Sequence, residues 1–148
     1  MTDSSFSSVL FVCTSNTIRS RLAEALAAWL TRGRVHIDSC GVSPGEPDGF
    51  VIAVLDEIGL DVSEKPPKGF RDLEDSDFDL IITLSPEAHN AALKYAEHLA
   101  TKIEYWPTVD PSLVDGSREQ HLEAYRRTRD EILQRISTSL SGPSAPVV

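Results

Sequence analysis

Apolar and polar positions fall into short blocks of two kinds along this chain. A continuous apolar run, Val9-Leu10-Phe11-Val12, reads as a first strand buried on both faces. After a polar stretch, Leu22, Ala23, Leu26, Ala27 and Leu30 recur at helical spacing, and Gly33 stops that helix. Val35 to Ser39 is a second strand, followed by a loop with Gly41, Pro44, Gly45 and Pro47. A second helix is expected from Asp48 to Ile58, with Val51, Val54, Leu55 and Ile58 on one face and Gly59 capping its end. The third strand, Asp79 to Leu84, is the strongest of all. Ser85 as a cap and Pro86 at the first helical position then start a third helix, expected to reach Ala100. Lys102 to Trp106 is a short fourth strand, and Gly116-Ser117 introduces a last helix through Ile136.

Strands alternating with helices predict an α/β fold: three layers, with a four-stranded parallel sheet flanked by helices. One domain over 8–136 is expected, with flexible termini at 1–7 and at 137–148, the latter rich in Ser, Pro and Gly. Open parallel sheets bind ligands outside the carboxyl ends of their strands. Cys13, Ser39, Leu84 and the stretch after Trp106 all follow strand ends, so they can face one crevice.

The chemistry concentrates after the first strand, in Cys13-Thr14-Ser15-Asn16-Thr17-Ile18-Arg19-Ser20. A cysteine alone at a strand end is usually core filler. Core packing, however, does not ask for four polar residues followed by Arg-Ser at a helix start. Successive N–H groups in such a loop, at a helix N-terminus, converge on an oxyanion. Thr14, Ser15, Asn16, Thr17, Ile18, Arg19 and Ser20 are therefore expected to bind the substrate anion, with the planar fork of Arg19 taking two of its oxygens. Cys13 is aimed at that anion as a thiolate nucleophile. Ser20 can donate to the thiolate. Asn16 tolerates the left-handed backbone that a tight cradle needs, and Ser39 can brace it. Cys40 is expected to point to the opposite sheet face, as a core residue.

A departing oxygen needs a proton donor, and Asp110 in Trp106-Pro107-Thr108-Val109-Asp110-Pro111 is the candidate, although Asp-Pro is also a common turn starter. The histidines His36, His89, His98 and His121 show no metal-ligand spacing, and no cluster with cysteine exists, so no metal is expected. Two cysteines in 148 residues are no disulfide framework and fit a reducing compartment. No secretory signal or membrane span is visible, and a cytoplasmic protein is expected. The net charge of −9 argues against nucleic acid or an anionic membrane as partner. Against it the local bases Arg19, Arg21, Arg32 and Arg34 stand out, with Arg32 and Arg34 read as complements to the first helix's C-terminal dipole.

The run from Val9 through Cys13, Asn16, Arg19-Ser20 and Ala23-Glu24-Ala25, together with Asp38-Ser39-Cys40-Gly41, Phe78 to Ile82 and Asp110-Pro111, resembles the low-molecular-weight protein tyrosine phosphatases and the related thioredoxin-type arsenate reductases. The resemblance implies their phosphotyrosine protein phosphatase I-like fold. It also implies Cys13 as nucleophile, Arg19 as clamp, Ser20 as thiolate stabiliser, Asn16 as loop organiser and Asp110 as general acid. The activity implied is cysteine-dependent hydrolysis of phosphotyrosine-like or aryl phosphate monoesters or phosphoproteins through a phosphocysteine, without a metal or organic cofactor, releasing inorganic phosphate, by a monomer or weak dimer. Arsenate reduction with an external thiol and a weakly catalytic phosphate-binding module are the alternatives. Ser112 and Leu113 stand where family phosphatases commonly carry tyrosines, and Val42 to Pro47 holds no aromatic residue. Ser15 replaces a usual glycine and Ile18 a common second cysteine. Leu84 to Asn90 contains no cysteine for the relay of the thioredoxin-coupled reductases, while the stretches from Asp110 to Glu119 and from Tyr125 to Ile132 look closer to the reductase branch.

Overall fold

A computed structural model describes residues 6–62, 65–75 and 77–140. Its elements are β1 (Ser8–Cys13), α1 (Arg19–Thr31), β2 (His36–Gly41), α2 (Gly49–Asp56), β3 (Leu80–Thr83), α3 (Pro86–Tyr95), β4 (Lys102–Tyr105) and α4 (Arg118–Leu140), with short 3-10 turns at Phe70–Asp72 and Pro111–Leu113. The strands form one parallel sheet in the order β2-β1-β3-β4. This is the expected three-layer α/β architecture.

The sheet separates two apolar clusters. Val9, Phe11 and Cys13 of β1 face Leu22 and Leu26 of α1, Val54 of α2, and Ile132 and Ile136 of α4. Leu10, Val12 and Cys40 face the other way, toward Ala88 and Ala92 of α3 and its C-cap Ala96. Strand neighbours alternate faces. Cys13 and Cys40 therefore lie on opposite sides of the sheet, as expected.

The element ends differ from expectation for identifiable reasons. α1 is closed by Arg32, itself left-handed at φ 53°, before Gly33 at φ 77°. Arg34 Nε donates to the Thr31 carbonyl oxygen, so it does serve the C-terminus of the helix. Asp48 is not the first residue of α2 but its cap, with Oδ1 accepting from the N–H groups of Phe50 and Val51. α3 stops at Tyr95 rather than Ala100, because Ala96 is its last buried position and Glu97 and His98 offer nothing apolar to cover. α4 runs past Ile136 to Leu140, since Ile132, Ile136 and Leu140 continue the buried stripe at a spacing of four. The expected flexible tail therefore does not begin at Ser137. Residues 141–148 of that tail lie outside the described residues, as do residues 1–5 of the other terminus. Ser7, also expected in a flexible end, is held by Asp79, whose Oδ2 accepts from its N–H and its hydroxyl at 2.7 Å each. These two bonds hold the Asp79 carboxyl below the usual range.

Candidate active site

The loop after β1 is shaped by the segment that follows the edge strand β2. The carbonyl oxygens of Cys13, Thr14 and Ser15 accept in turn from the N–H groups of Val42, Ser43 and Gly45. Because each trans peptide opposes its C=O and N–H, the amides of Thr14, Ser15 and Asn16 point to the other side. Asn16 then turns the chain at φ 59° into α1. No side chain caps the start of α1, and its first turn contains no acidic residue. Amides and helix start together form the kind of N–H cluster that suits an anion, with Cys13 buried at its floor.

Asn16 fastens the loop from inside. Its Nδ2 donates to Ser20 Oγ at 2.8 Å and to Ser39 Oγ at 2.9 Å, while its Oδ1 accepts from the Lys68 main-chain N–H at 2.8 Å. Ser20 Oγ in turn lies 2.9 Å from Cys13 Sγ. Of the other loop residues, Ser15 and Thr17 bond to each other through their hydroxyls at 2.8 Å, and Thr14 Oγ1 lies 2.9 Å from Ser85 Oγ, the cap of α3. The Ile18 side chain is buried in the larger apolar cluster, so only its main chain can serve a ligand.

Arg19 opens α1 and reaches across the strand ends. Its Nη1 donates to the carbonyl oxygen of Thr108 at 2.9 Å, with that of Leu84 at 3.5 Å. Its Nη2 lies 4.0 Å from Asp110 Oδ2. The Asp110 segment is brought there by the sheet: past β3 and β4 the ladder continues with the Trp106 N–H on the Thr83 oxygen and the Thr108 N–H on the Leu84 oxygen. Pro111 leaves Asp110 extended, at φ −82° and ψ 110°. Asp110 Oδ1 is occupied, accepting from the N–H and the hydroxyl of Ser112 at 2.9 and 2.7 Å, so Oδ2 is the oxygen turned toward Arg19. Cys13, Arg19 and Asp110 thus share one end of the sheet.

The other local bases do not converge there. Arg21 turns beneath the loop and donates to the carbonyl oxygens of Val62 and Lys65 at 3.0 and 2.6 Å. Cys40 is fully buried on the far face, and burial pushes its thiol far up. Among the described residues no cluster of His, Cys, Asp or Glu could hold a metal ion. Among them, too, no helix is long and apolar enough to cross a membrane.

Three contributors escaped the sequence reading. The Lys68 amide and the Thr108 carbonyl are main-chain groups, for which any residue would serve, proline excepted at position 68. Gly41 had a legible signal: a Cβ there would meet Asn16 N at 2.6 Å and Ser15 C at 2.7 Å, so the strand can approach the loop only as glycine. Around the mouth, Val109 and Leu113 flank Asp110 and are 74% and 76% exposed, an aliphatic rim where aromatic residues would suit an aryl ester.

A family model described as low molecular weight phosphotyrosine protein phosphatase matches residues 8–141. The chain belongs to this family. It is similar to the glutaredoxin arsenate reductase of Synechocystis sp., at 29% identity over 90% of this chain and 95% of that protein. Among solved structures, an arsenate reductase in the phosphate binding state superposes with a TM-score of 0.73 at 27% identity, covering 88% of this chain and 94% of that one. A low molecular weight protein tyrosine phosphatase from T. tengcongensis gives 0.72 at 26% identity, covering 87% and 94%.

Proposed function

We propose that this chain reduces arsenate at Cys13, with the reducing thiols supplied by separate molecules. The observation that carries the reading is the isolation of Cys13. Ile18 stands beside it in the loop, Leu84 to Asn90 holds no cysteine, and Cys40 is sealed on the other face of the sheet. An oxyanion chemistry that ends in reduction must therefore draw on outside thiols. The similarity to a protein named glutaredoxin arsenate reductase and to a solved arsenate reductase supports this reading over hydrolysis.

The chemistry follows from the cradle. The Cys13 thiolate attacks arsenic, forming the S–As bond, and one arsenate oxygen leaves as water with a proton from Asp110 Oδ2. Arg19 and the loop amides hold the remaining oxygens. An external thiolate then attacks Cys13 Sγ. The S–As electron pair passes to arsenic, arsenite departs, and Cys13 is left in a mixed disulfide. A second thiol releases the external disulfide and restores Cys13. Two thiols supply two electrons.

Phosphate monoester hydrolysis uses the same first half. Cys13 attacks phosphorus, Asp110 protonates the leaving oxygen, and water hydrolyses the phosphocysteine. The placement of Asp110 beside Arg19 favours keeping this second reading. The deciding experiment incubates the purified chain with arsenate alone, with glutathione and glutaredoxin, or with an aryl phosphate, and measures arsenite and phosphate. Arsenite that depends on both thiol and Cys13 supports the proposal. Phosphate release without arsenite under a broad panel of thiol donors overturns it in favour of hydrolysis.

A further inference from the structure

Glu24 lies one turn into α1, largely buried, and the chemistry above makes no use of it. Its Oε1 accepts from the Ser39 hydroxyl at 2.6 Å, and its Oε2 pairs with the half-exposed Lys65 ammonium. From there a continuous chain of hydrogen bonds runs to the thiol. Each link has a direction that follows from counting protons.

An ionised carboxylate only accepts, so the single Ser39 proton points at Glu24. Ser39 Oγ can then only accept from Asn16, which therefore presents Nδ2 and not Oδ1. The Lys68 amide on Oδ1 agrees with that orientation of the side chain. The second Nδ2 proton goes to Ser20 Oγ, which consequently accepts there. Only one proton remains on Ser20, and its one remaining partner is Cys13 Sγ at 2.9 Å. The distance by itself leaves donor and acceptor open between serine and cysteine. The polarity of the chain decides it: Ser20 donates. A donated hydrogen bond favours the thiolate over the thiol.

We propose that Glu24, held by Lys65, is a positioning residue that keeps the Ser20 proton aimed at Cys13 Sγ. This rests on Cys13 reacting as the thiolate, the step that both oxyanion chemistries share. Ser39, Asn16 and Ser20 are almost wholly buried, so water does not replace a broken link cheaply. In Glu24→Gln the amide oxygen is drawn to Lys65 and its NH2 faces Ser39. Ser39 Oγ then faces two N–H donors, and its own proton has lost its acceptor. Either Ser39 swings away or Asn16 loosens, and Ser20 loses its set direction. The Lys68 amide still holds the other end of Asn16, so the effect is a shift and not a collapse.

The test is the pH profile of Cys13 alkylation by iodoacetamide, read by intact mass, with thermal denaturation as a check of folding. Glu24→Gln is expected to move the profile upward by about half a pH unit, a roughly threefold fall in the thiol's ionisation constant and a roughly twofold loss of thiolate at the wild-type midpoint. Introduced into Ser39→Ala, the same substitution is expected to add nothing, because the relay is already cut. A folded Glu24→Gln protein with the wild-type profile overturns the proposal. So does a shift that persists in full in the Ser39→Ala background, which would mean action through space. If Glu24→Gln does not fold, Ser39→Ala alone must raise the profile, and a wild-type profile there overturns the proposal equally. Alkylation does not depend on turnover. A wild-type chain that handles neither arsenate nor aryl phosphate, yet shows these shifts, would sink the proposed function and leave the relay standing.

Discussion

Arg19 Nη1 donates a 2.9 Å hydrogen bond to the carbonyl oxygen of Thr108, two residues before Asp110. This one bond joins the first turn of α1 to the segment that follows β4. It couples the side chain proposed as oxyanion clamp to the carboxyl proposed as proton donor, so a ligand that draws Arg19 inward also acts on the Asp110 segment. The link uses a main-chain acceptor, and it survives any side chain at position 108.

Arg19→Lys is expected to cut kcat/KM for the active substrate by about two to three orders of magnitude. A lysine keeps the charge but has no planar fork to divide between the Thr108 carbonyl and two substrate oxygens. Steady-state kinetics would show this, and a loss below tenfold would mean that charge alone suffices.

Gly41→Ala should deform the loop. The added methyl falls on main-chain atoms of Ser15 and Asn16, which cannot swing aside as a flexible side chain could. A destabilisation of about 1–3 kcal/mol is expected. Thermal melts with and without phosphate should show in addition that the ligand's stabilising effect is largely lost.

The two thiols should differ sharply in reactivity. Cys40 is fully buried, and burial pushes its thiol up. Iodoacetamide near pH 8 is expected to modify one cysteine per folded chain, namely Cys13, with phosphate protecting it. Peptide mapping would identify the modified residue. Modification of Cys40 at a comparable rate would contradict the sealed face of the sheet.

At the α2–α4 junction Glu57 accepts from Arg126 and Arg129, and the hydrogen bond from Arg126 is the main cause of a carboxyl held below its ordinary value. The folded value lies below the unfolded one. The clasp therefore stabilises above the unfolded value and fades as the pH falls through the folded one. The stability gap between the wild type and Glu57→Gln should hold steady above about pH 5 and close below about pH 4. Urea titrations across that range would measure it. A gap that widens on acidification would reverse the assigned sign.

Much of the fold was readable because its signals are local. The stripes of α1 and α2 were legible as helical periods and the apolar runs of β1 and β3 as strands, while Ser85-Pro86 marked the start of α3 through its own chemistry. The ends were less legible. The tail after Ile136 looks loop-like in composition, yet Leu140 continues a stripe whose value lies in covering α1 and the sheet. Conversely, α3 ends early because nothing remains for Glu97 and His98 to bury. Composition cannot reveal what an element packs against.

The same division runs through the site. Cys13 to Ser20 announces an anion cradle in its own order, because a tight loop, a left-handed Asn16 and a helix start are properties of neighbouring residues. By itself the sequence also determined the family and the solitude of the thiol. Tertiary structure decided that Arg19 meets the Thr108 carbonyl, that the Lys68 amide holds Asn16, that Arg21 turns away, and that Glu24 stands at the head of a proton-ordered chain ending on Cys13. These are bonds between distant segments, often through main-chain groups that every residue carries alike, and only packing of the chain selects which of them meet.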